Sequence, residues 1–532
     1  MTVKGSATDA DQTPGNPMQD PQRTTTHTPA GVLEALAATL AAGALLAALL
    51  VASRSTDLIT RQLWLDEVLT LWLVGDPSLS HFFAALRAGT DTNPPAMHLL
   101  MRLFAMPFGG ADETVLRLFA LLTVTLALGG GYVLLRRSFG RAVSAVAAIV
   151  LLAHPLMIEH AVEARFYGLW LAALTWFAVA LQAHHAKPSW LRGGAVALLS
   201  VLLCTTHYFG VIAMGFVWLG HLALAGGTLR SRVAALLPSL AGVVALLACV
   251  PLYLGQGAGM TVSSWMDSSV LPHLRWNLRY TYVTWSLGIP LIAWGLSVVV
   301  SRMRQGKSDV RTPPPLGPVG GALACVAFAA FPVVFTLLLQ PAYLARYMMP
   351  VLLGLAVVAA WLLHRSHRCL LPVVAVAALG VGAMQLRALS AKHHQADYRF
   401  NRLAEHVGKQ HNDAGEPLPV LFFRRHESYR FVAAFDDLAG RAMLLTFDDA
   451  ADADKRVMDR YERDLARKVH PYYVQPELVT AEQLRELQAF LVFADEQRLA
   501  EFEASIPNAS IEKVDGHLSR VTVTASGRDS KP

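Results

Sequence analysis

Apolar residues gather in long stretches separated by short polar or basic joints. The pattern has neither the period of two of a half-buried strand nor the one-sided stripe of a soluble helix. A helix needs roughly 20 predominantly apolar residues to cross about 30 Å of hydrocarbon. Suitable stretches lie at 31–52, 114–135, 142–158, 166–183, 190–206, 208–226, 233–254, 279–300, 319–339, 347–363 and 369–388, which predicts about 11 transmembrane helices. One further stretch, 94–108 (PPAMHLLMRLFAMPF), opens on Pro94 and Pro95 and carries Arg102 in its middle. A charge at mid-span costs about 2.5–3.5 kcal/mol, so this stretch is expected to be a re-entrant or juxtamembrane helix.

Beyond residue 388 the pattern changes to short alternating segments. Candidate helices are 396–411, 454–468, 480–488 and 496–504; candidate strands are 418–423, 441–447, 490–494, 510–514 and 519–525. The expected fold is therefore mainly α, a polytopic membrane protein with periplasmic juxtamembrane helices and a C-terminal α/β domain. Residues 1–30 read as a disordered cytoplasmic tail. Residues 31–388 form the membrane domain, with 53–113 as its first outer loop, and 389–532 form the C-terminal extracytoplasmic domain.

Composition agrees: 54% of the 532 residues are hydrophobic and 16% charged, against about 25% charged in a soluble domain. The first 388 residues hold 25 Lys and Arg and 15 Asp and Glu, and the last 144 hold 20 and 24, so two environments share one chain. The net charge of +6 comes from loops between apolar stretches and gives no reason to expect nucleic acid. With 94–108 not crossing, one set of short loops collects thirteen basic residues and the opposite set only Arg165, Arg275 and Arg346. Basic loops stay cytoplasmic, which puts the N-terminus inside and the C-terminal domain outside a bacterial cytoplasmic membrane. The four cysteines, Cys204, Cys249, Cys325 and Cys369, lie in or beside apolar runs without metal or disulfide spacing.

Of the fifteen acids before residue 389, ten fall on the outer face. An ion-coupled transporter would carry acids in mid-span, so the chemistry is expected outside. The outer loop contains LWLDEVLTLWL, with Asp66 and Glu67 among leucines and tryptophans. Lost hydration is expected to raise the pKa of such carboxyls and make them better bases. If the stretch is helical, neighbours point about 100° apart and only one of the two can face a cleft. Three more outer stretches combine polar groups with apolar walls: HPLMIEHAVEARFYG with Glu163, Arg165 and Tyr167, CTTHYFG with His207 and Tyr208, and QPAYLARYMMP with Arg346 and Tyr347. Arginines against the charge rule favour an anionic ligand, because guanidinium holds phosphate bidentately. His393, His394 and the acids Asp448, Asp449, Asp452 and Asp454 lack metal-loop spacing. No cofactor is predicted, and a divalent metal is possible but not indicated.

The ordered set of L-D-E in the first outer loop, N-P-P-x-x-H-L-L, E-A-R-F-Y, T-H-Y and A-R-Y-x-x-P resembles the GT-C superfamily of polytopic glycosyltransferases. The likeness covers about residues 31–388 and is to the branch of protein O-mannosyltransferases, aminoarabinose transferases and RgtA-like proteins. The resemblance implies transfer of a sugar from a polyprenyl-phosphate donor to a glycan, lipid or protein acceptor of the cell envelope, by inverting single displacement. It implies Asp66 as base with Glu67 as helper, Asn93, Pro94 and Pro95 as cleft wall, and Arg165, His207 and Arg346 near the lipid phosphate. Asn93 stands where the aminoarabinose transferases have Lys, and Arg165 where they have Asp, so sugar and acceptor stay open. The alternatives are a transporter or flippase of lipid-linked sugars and a non-catalytic membrane scaffold.

Overall fold

The computed structural model describes residues 29–260, 285–303, 321, 345–423, 425–435, 437–445, 477–506 and 509–523. The N-terminal tail to residue 28, the apolar run 319–339 but for residue 321, Cys325, the candidate helix 454–468 and the acids at 448–454 lie outside the described residues.

The chain opens with α1 (Pro29–Ala52), then the outer-loop helices α2 (Leu65–Gly75), α3 (Leu79–Ala88) and α4 (Ala96–Ala105). The membrane domain continues through α5 (Glu113–Phe139), α6 (Arg141–Leu152), α7 (Pro155–Ala161), α8 (Tyr167–Ala186), α9 (Trp190–Thr206) and α10 (Gly210–Leu224). Next come α11 (Leu229–Leu236), α12 (Leu240–Ala248), α13 (Val250–Met260), α14 (Trp285–Met303), α15 (Val351–His364) and α16 (Leu370–Lys409). Helices α1, α5, α8, α9 and α12 pack in succession, and α15 and α16 close against α6. Leucines and valines of α1, α9, α10 and α16 remain exposed outside this bundle, as side chains solvated by lipid would.

The expected count of about 11 spans is not confirmed. Among the described residues four helices are long and apolar enough to cross a membrane, five if the bent pair α6 and α7 counts as one. Apolar runs do not all become straight helices. Pro155 follows a 69° bend between α6 and α7, and the run 233–254 is broken at Leu237–Ser239 around Pro238. Helices α9, α10 and α15 have only 17, 15 and 14 residues. The stretch 94–108 is a ten-residue helix and one short 3-10 turn. Arg102 in its middle donates to the carbonyl of Pro77 at 3.2 Å.

Helices α5 and α8 approach closely. A Cβ on Gly168 would lie 2.5 Å from Thr123 Oγ1, and one on Gly130 2.6 Å from Thr175 Oγ1. Small residues permit such contacts between apolar helices. Asp112 caps α5 by accepting from the Val115 amide at 2.7 Å.

Helix α16 runs on unbroken for 40 residues. No Gly or Pro lies in Ser390–Val407 (SAKHHQADYRFNRLAEHV), so the hydropathy changes at residue 388 while the backbone does not. Beyond it lie β1 (Val420–Phe422), α17 (Arg425–Ala434), β2 (Ala442–Leu445), β3 (Glu477–Val479), α18 (Ala481–Glu486), β4 (Ala489–Phe493), α19 (Glu496–Ser505), β5 (Ala509–Asp515) and β6 (Leu518–Val523). They form one six-stranded sheet in the order β3-β2-β1-β4-β6-β5. The first four are parallel, with β1 and β2 fully buried; β6 and β5 add an antiparallel ribbon. The expected strands are present, joined by β3 and α17, which the pattern did not signal.

Candidate active site

Asp66 and Glu67 occupy the first turn of α2, where acids complement the positive helix end. Glu67 turns inward and is fully buried. Its Oε2 accepts from the Trp64 amide at 3.2 Å, as in the reach-back half of a capping box. Its Oε1 accepts from the Ala164 amide at 2.8 Å. Two buried guanidiniums complete its shell, Arg61 at 3.1 Å and Arg117 at 3.2 Å. The raised pKa expected of a carboxyl among apolar residues does not hold for Glu67. Burial alone would raise it, but Arg61, Arg117 and the two backbone amides outweigh burial and lower it. The sequence pattern showed the apolar neighbours and not the two arginines.

Asp66, one position earlier, keeps 22% of its side chain exposed, and its Oδ2 lies 3.3 Å from Nη1 of Arg346. Arg346, on a 3-10 turn (Ala345–Met348), spreads its guanidinium over the Trp64 ring at 5.9 Å. Arg165 comes from the short turn between α7 and α8. Its Nη1 donates to the Asp66 carbonyl at 3.1 Å, to Thr70 Oγ1 at 3.0 Å and to Asp91 Oδ2 at 2.7 Å. Two arginines from distant segments therefore meet at Asp66, Arg346 on its carboxylate and Arg165 on its main-chain carbonyl.

Asp91 was not singled out in the sequence, yet it joins the outer loop to this centre. Gly89, at φ 96°, ends α3 in the left-handed region that favours glycine. The turn that follows places Asp91 Oδ1 2.6 Å from Asn93 Nδ2 and Oδ2 3.1 Å from His98 Nε2. The available signal was an Asp two residues before Asn-Pro-Pro, a turn-forming string with a histidine one helical turn beyond. Burial alone would raise the Asp91 carboxyl, but the charge of Arg165 and the contact with His98 hold it well below the usual carboxylate range. A depressed folded value means that this stabilisation is complete above the ordinary value of 3.8 and is lost as pH falls through the folded value. Thermal melts in detergent should show no pH dependence from this group between about pH 5 and 8 and a fall below about pH 4. The acid limb should be shallower in Asp91→Asn; identical limbs would contradict the assignment.

Asn93 and Pro94 are buried in the same turn. The Asn93 carbonyl accepts from Gln256 Nε2 at 3.3 Å, and Gln256 Oε1 accepts from the Tyr208 hydroxyl at 2.8 Å. Tyr208 thus braces the wall through Gln256 of α13. Glu163 is buried against His160 Nδ1, and Tyr167 stacks on His160 with ring centres 4.2 Å apart. His207 packs among Phe166, Trp170 and Tyr347 at 4.6, 4.6 and 5.4 Å, and its Nδ1 accepts from the Phe209 amide at 3.1 Å. The structure therefore gathers Asp66, Arg165, Arg346, Tyr167, Tyr347 and His207 at one end of the helices, with Asn93, Glu163 and Tyr208 as braces. Among the described residues no group of three or more His, Cys, Asp or Glu side chains could hold a metal ion.

Residues 92–254 match the family described as dolichyl-phosphate-mannose-protein mannosyltransferase. The crystal structure of ArnT from Cupriavidus metallidurans bound to undecaprenyl phosphate superposes with a TM-score of 0.56 at 16% identity, covering 94% of this chain and 99% of that one. The chain has the fold of that ArnT. The apo structure of the same ArnT is similar, with a TM-score of 0.52 at 15% identity over 94% and 98% of the two chains. Among curated proteins no sequence match is found. The GT-C likeness extends through the C-terminal sheet, since nearly the whole of both chains is covered.

Proposed function

We propose that this chain is a membrane glycosyltransferase that moves a sugar from a polyprenyl phosphate to an acceptor hydroxyl on the outer face of the cytoplasmic membrane. One observation carries the reading: a partly open carboxylate, Asp66, pairs with Arg346 while Arg165 holds its main-chain carbonyl, and its neighbour Glu67 is buried with its acceptors occupied. The undecaprenyl phosphate named for the ArnT structure supports a lipid phosphate as donor.

The pieces suit an inverting single displacement. The Asp66 carboxylate takes the proton of the acceptor hydroxyl, the freed oxygen attacks the anomeric carbon, and the bond from that carbon to the phosphate oxygen breaks. The polyprenyl phosphate departs with the electron pair and gains negative charge. Arg346 and Arg165 then stabilise the departing phosphate more than the starting ester, which is what accelerates the chemical step. Arg346 can leave Asp66 for the phosphate, since their contact is at the long end of an ion pair and partly solvated. Such a donor is already activated and needs no nucleotide.

The test uses the purified full chain with an envelope extract as acceptor and either a polyprenyl-phosphate-linked sugar or a nucleotide sugar as donor. Glycosylated product and free polyprenyl phosphate are expected in equal amounts from the lipid donor alone. Product from the nucleotide sugar with no lipid added would overturn the reading.

A further inference from the structure

The helix that carries Asp66 is held as much by the C-terminal domain as by the membrane domain. Leu63, Val68 and Leu69 belong to one buried apolar cluster with Phe400, Leu403 and Val407 of α16, Val420 and Phe422 of β1, and Tyr429 and Val432 of α17. The rings of Trp72 and Tyr429 lie 5.3 Å apart. Val68 and Leu69 therefore face the tail domain, while Asp66 and Thr70 are engaged by Arg346 and Arg165.

A polar junction at Gln62 joins the two sides. Its carbonyl accepts from Arg61 Nη1 and Arg117 Nη2, both at 3.3 Å, the same arginines that hold Glu67. Its amide donates to Asp397 Oδ2 at 3.3 Å, and its side chain donates to Asn401 Oδ1 at 2.8 Å. Arg430 of α17 donates from Nη2 to Gln62 Oε1 at 3.3 Å, pairs with Asp397 and stacks over Phe400 at 4.4 Å. An unbroken run of contacts thus leads from Arg430 through Gln62 to Arg61, Arg117 and Glu67, and so to the first turn of α2.

We infer that Arg430 is a positioning residue for the transfer reaction: acting through Gln62 and Asp397, it fixes the first turn of α2 so that Asp66 meets the acceptor in register. The inference rests on the functional reading above for the role of Asp66. The C-terminal domain is then part of the catalytic apparatus without touching the reacting atoms. A misplacement of the order of 1 Å from a remote change can cost about 100-fold in rate, so a partial loosening is expected to cost about tenfold.

The experiment compares the full chain with Arg430→Met and Arg430→Lys in detergent. Amide exchange over residues 62–70, measured without ligand, should quicken about tenfold in Arg430→Met, while α5 and α8 exchange as in wild type. In the transfer assay with a polyprenyl-phosphate-linked sugar, kcat should fall about tenfold with donor KM unchanged, the mark of an interaction needed only in the transition state. Arg430→Lys, which keeps the charge near Asp397, should recover most of both effects. Gln62→Ala should give the same local pattern if Arg430→Met does not accumulate. Unchanged exchange at 62–70, equal quickening throughout the bundle, or unchanged kcat would each overturn the inference. If the wild-type chain itself transfers no sugar, the functional reading fails instead, and the exchange measurement still decides whether Arg430 holds α2.

Discussion

Asp66→Asn is expected to reduce sugar transfer by about 10²- to 10⁴-fold, the usual contribution of a general base, while the protein accumulates and melts like wild type. The substitution is close to isosteric, and the amide oxygen can still accept from Arg346. The pair it alters is partly exposed at 3.3 Å, and such pairs contribute about 0–1 kcal/mol to stability. A loss of rate at constant stability therefore reports proton transfer. Binding of the lipid donor, which the proposal assigns to Arg165 and Arg346, should survive. The measurement is transfer under single-turnover conditions beside a thermal melt and a donor-binding titration. Full activity in a well-folded Asp66→Asn would place the base elsewhere.

Glu67→Gln should fail in a different way. Removing one partner of a buried ion pair typically costs about 3–5 kcal/mol, because the remaining charge is left uncompensated. Here two buried guanidiniums, Arg61 and Arg117, would lose the carboxylate with which they are paired. Set against a total stability of about 5–15 kcal/mol, that is enough to lower the steady-state amount of protein and bring its melt down sharply. The two acids are neighbours in sequence, yet one substitution should spare the fold and the other should not. Equal accumulation and equal melting of Glu67→Gln and wild type would contradict the buried-pair account.

Much of this arrangement was legible in the sequence. The apolar runs located the helices, and the scarcity of arginine on one face drew attention to Arg165 and Arg346, which do meet around Asp66. The 100° offset of helical neighbours separated Asp66 from Glu67. Three things could not be read. Arg61 and Arg117 sit 6 and 50 residues from the Glu67 they hold, and pairing across such distances leaves no periodic trace. The role of Asp91 depends on a turn that aims it at Arg165, 74 residues away. The number of crossings depends on where helices bend, as at the 69° break before Pro155, which hydropathy averaged over a window does not register.

The 40 residues of α16 amount to about 60 Å of helix, roughly twice the hydrocarbon thickness of a bilayer. One end stands among lipid-facing helices and the other is embedded in the core beneath the tail sheet, with no joint between them. A lean imposed on the lower half by a thinner or thicker bilayer is therefore delivered, like the motion of a mast, to the platform on top and to the small helix that platform grips.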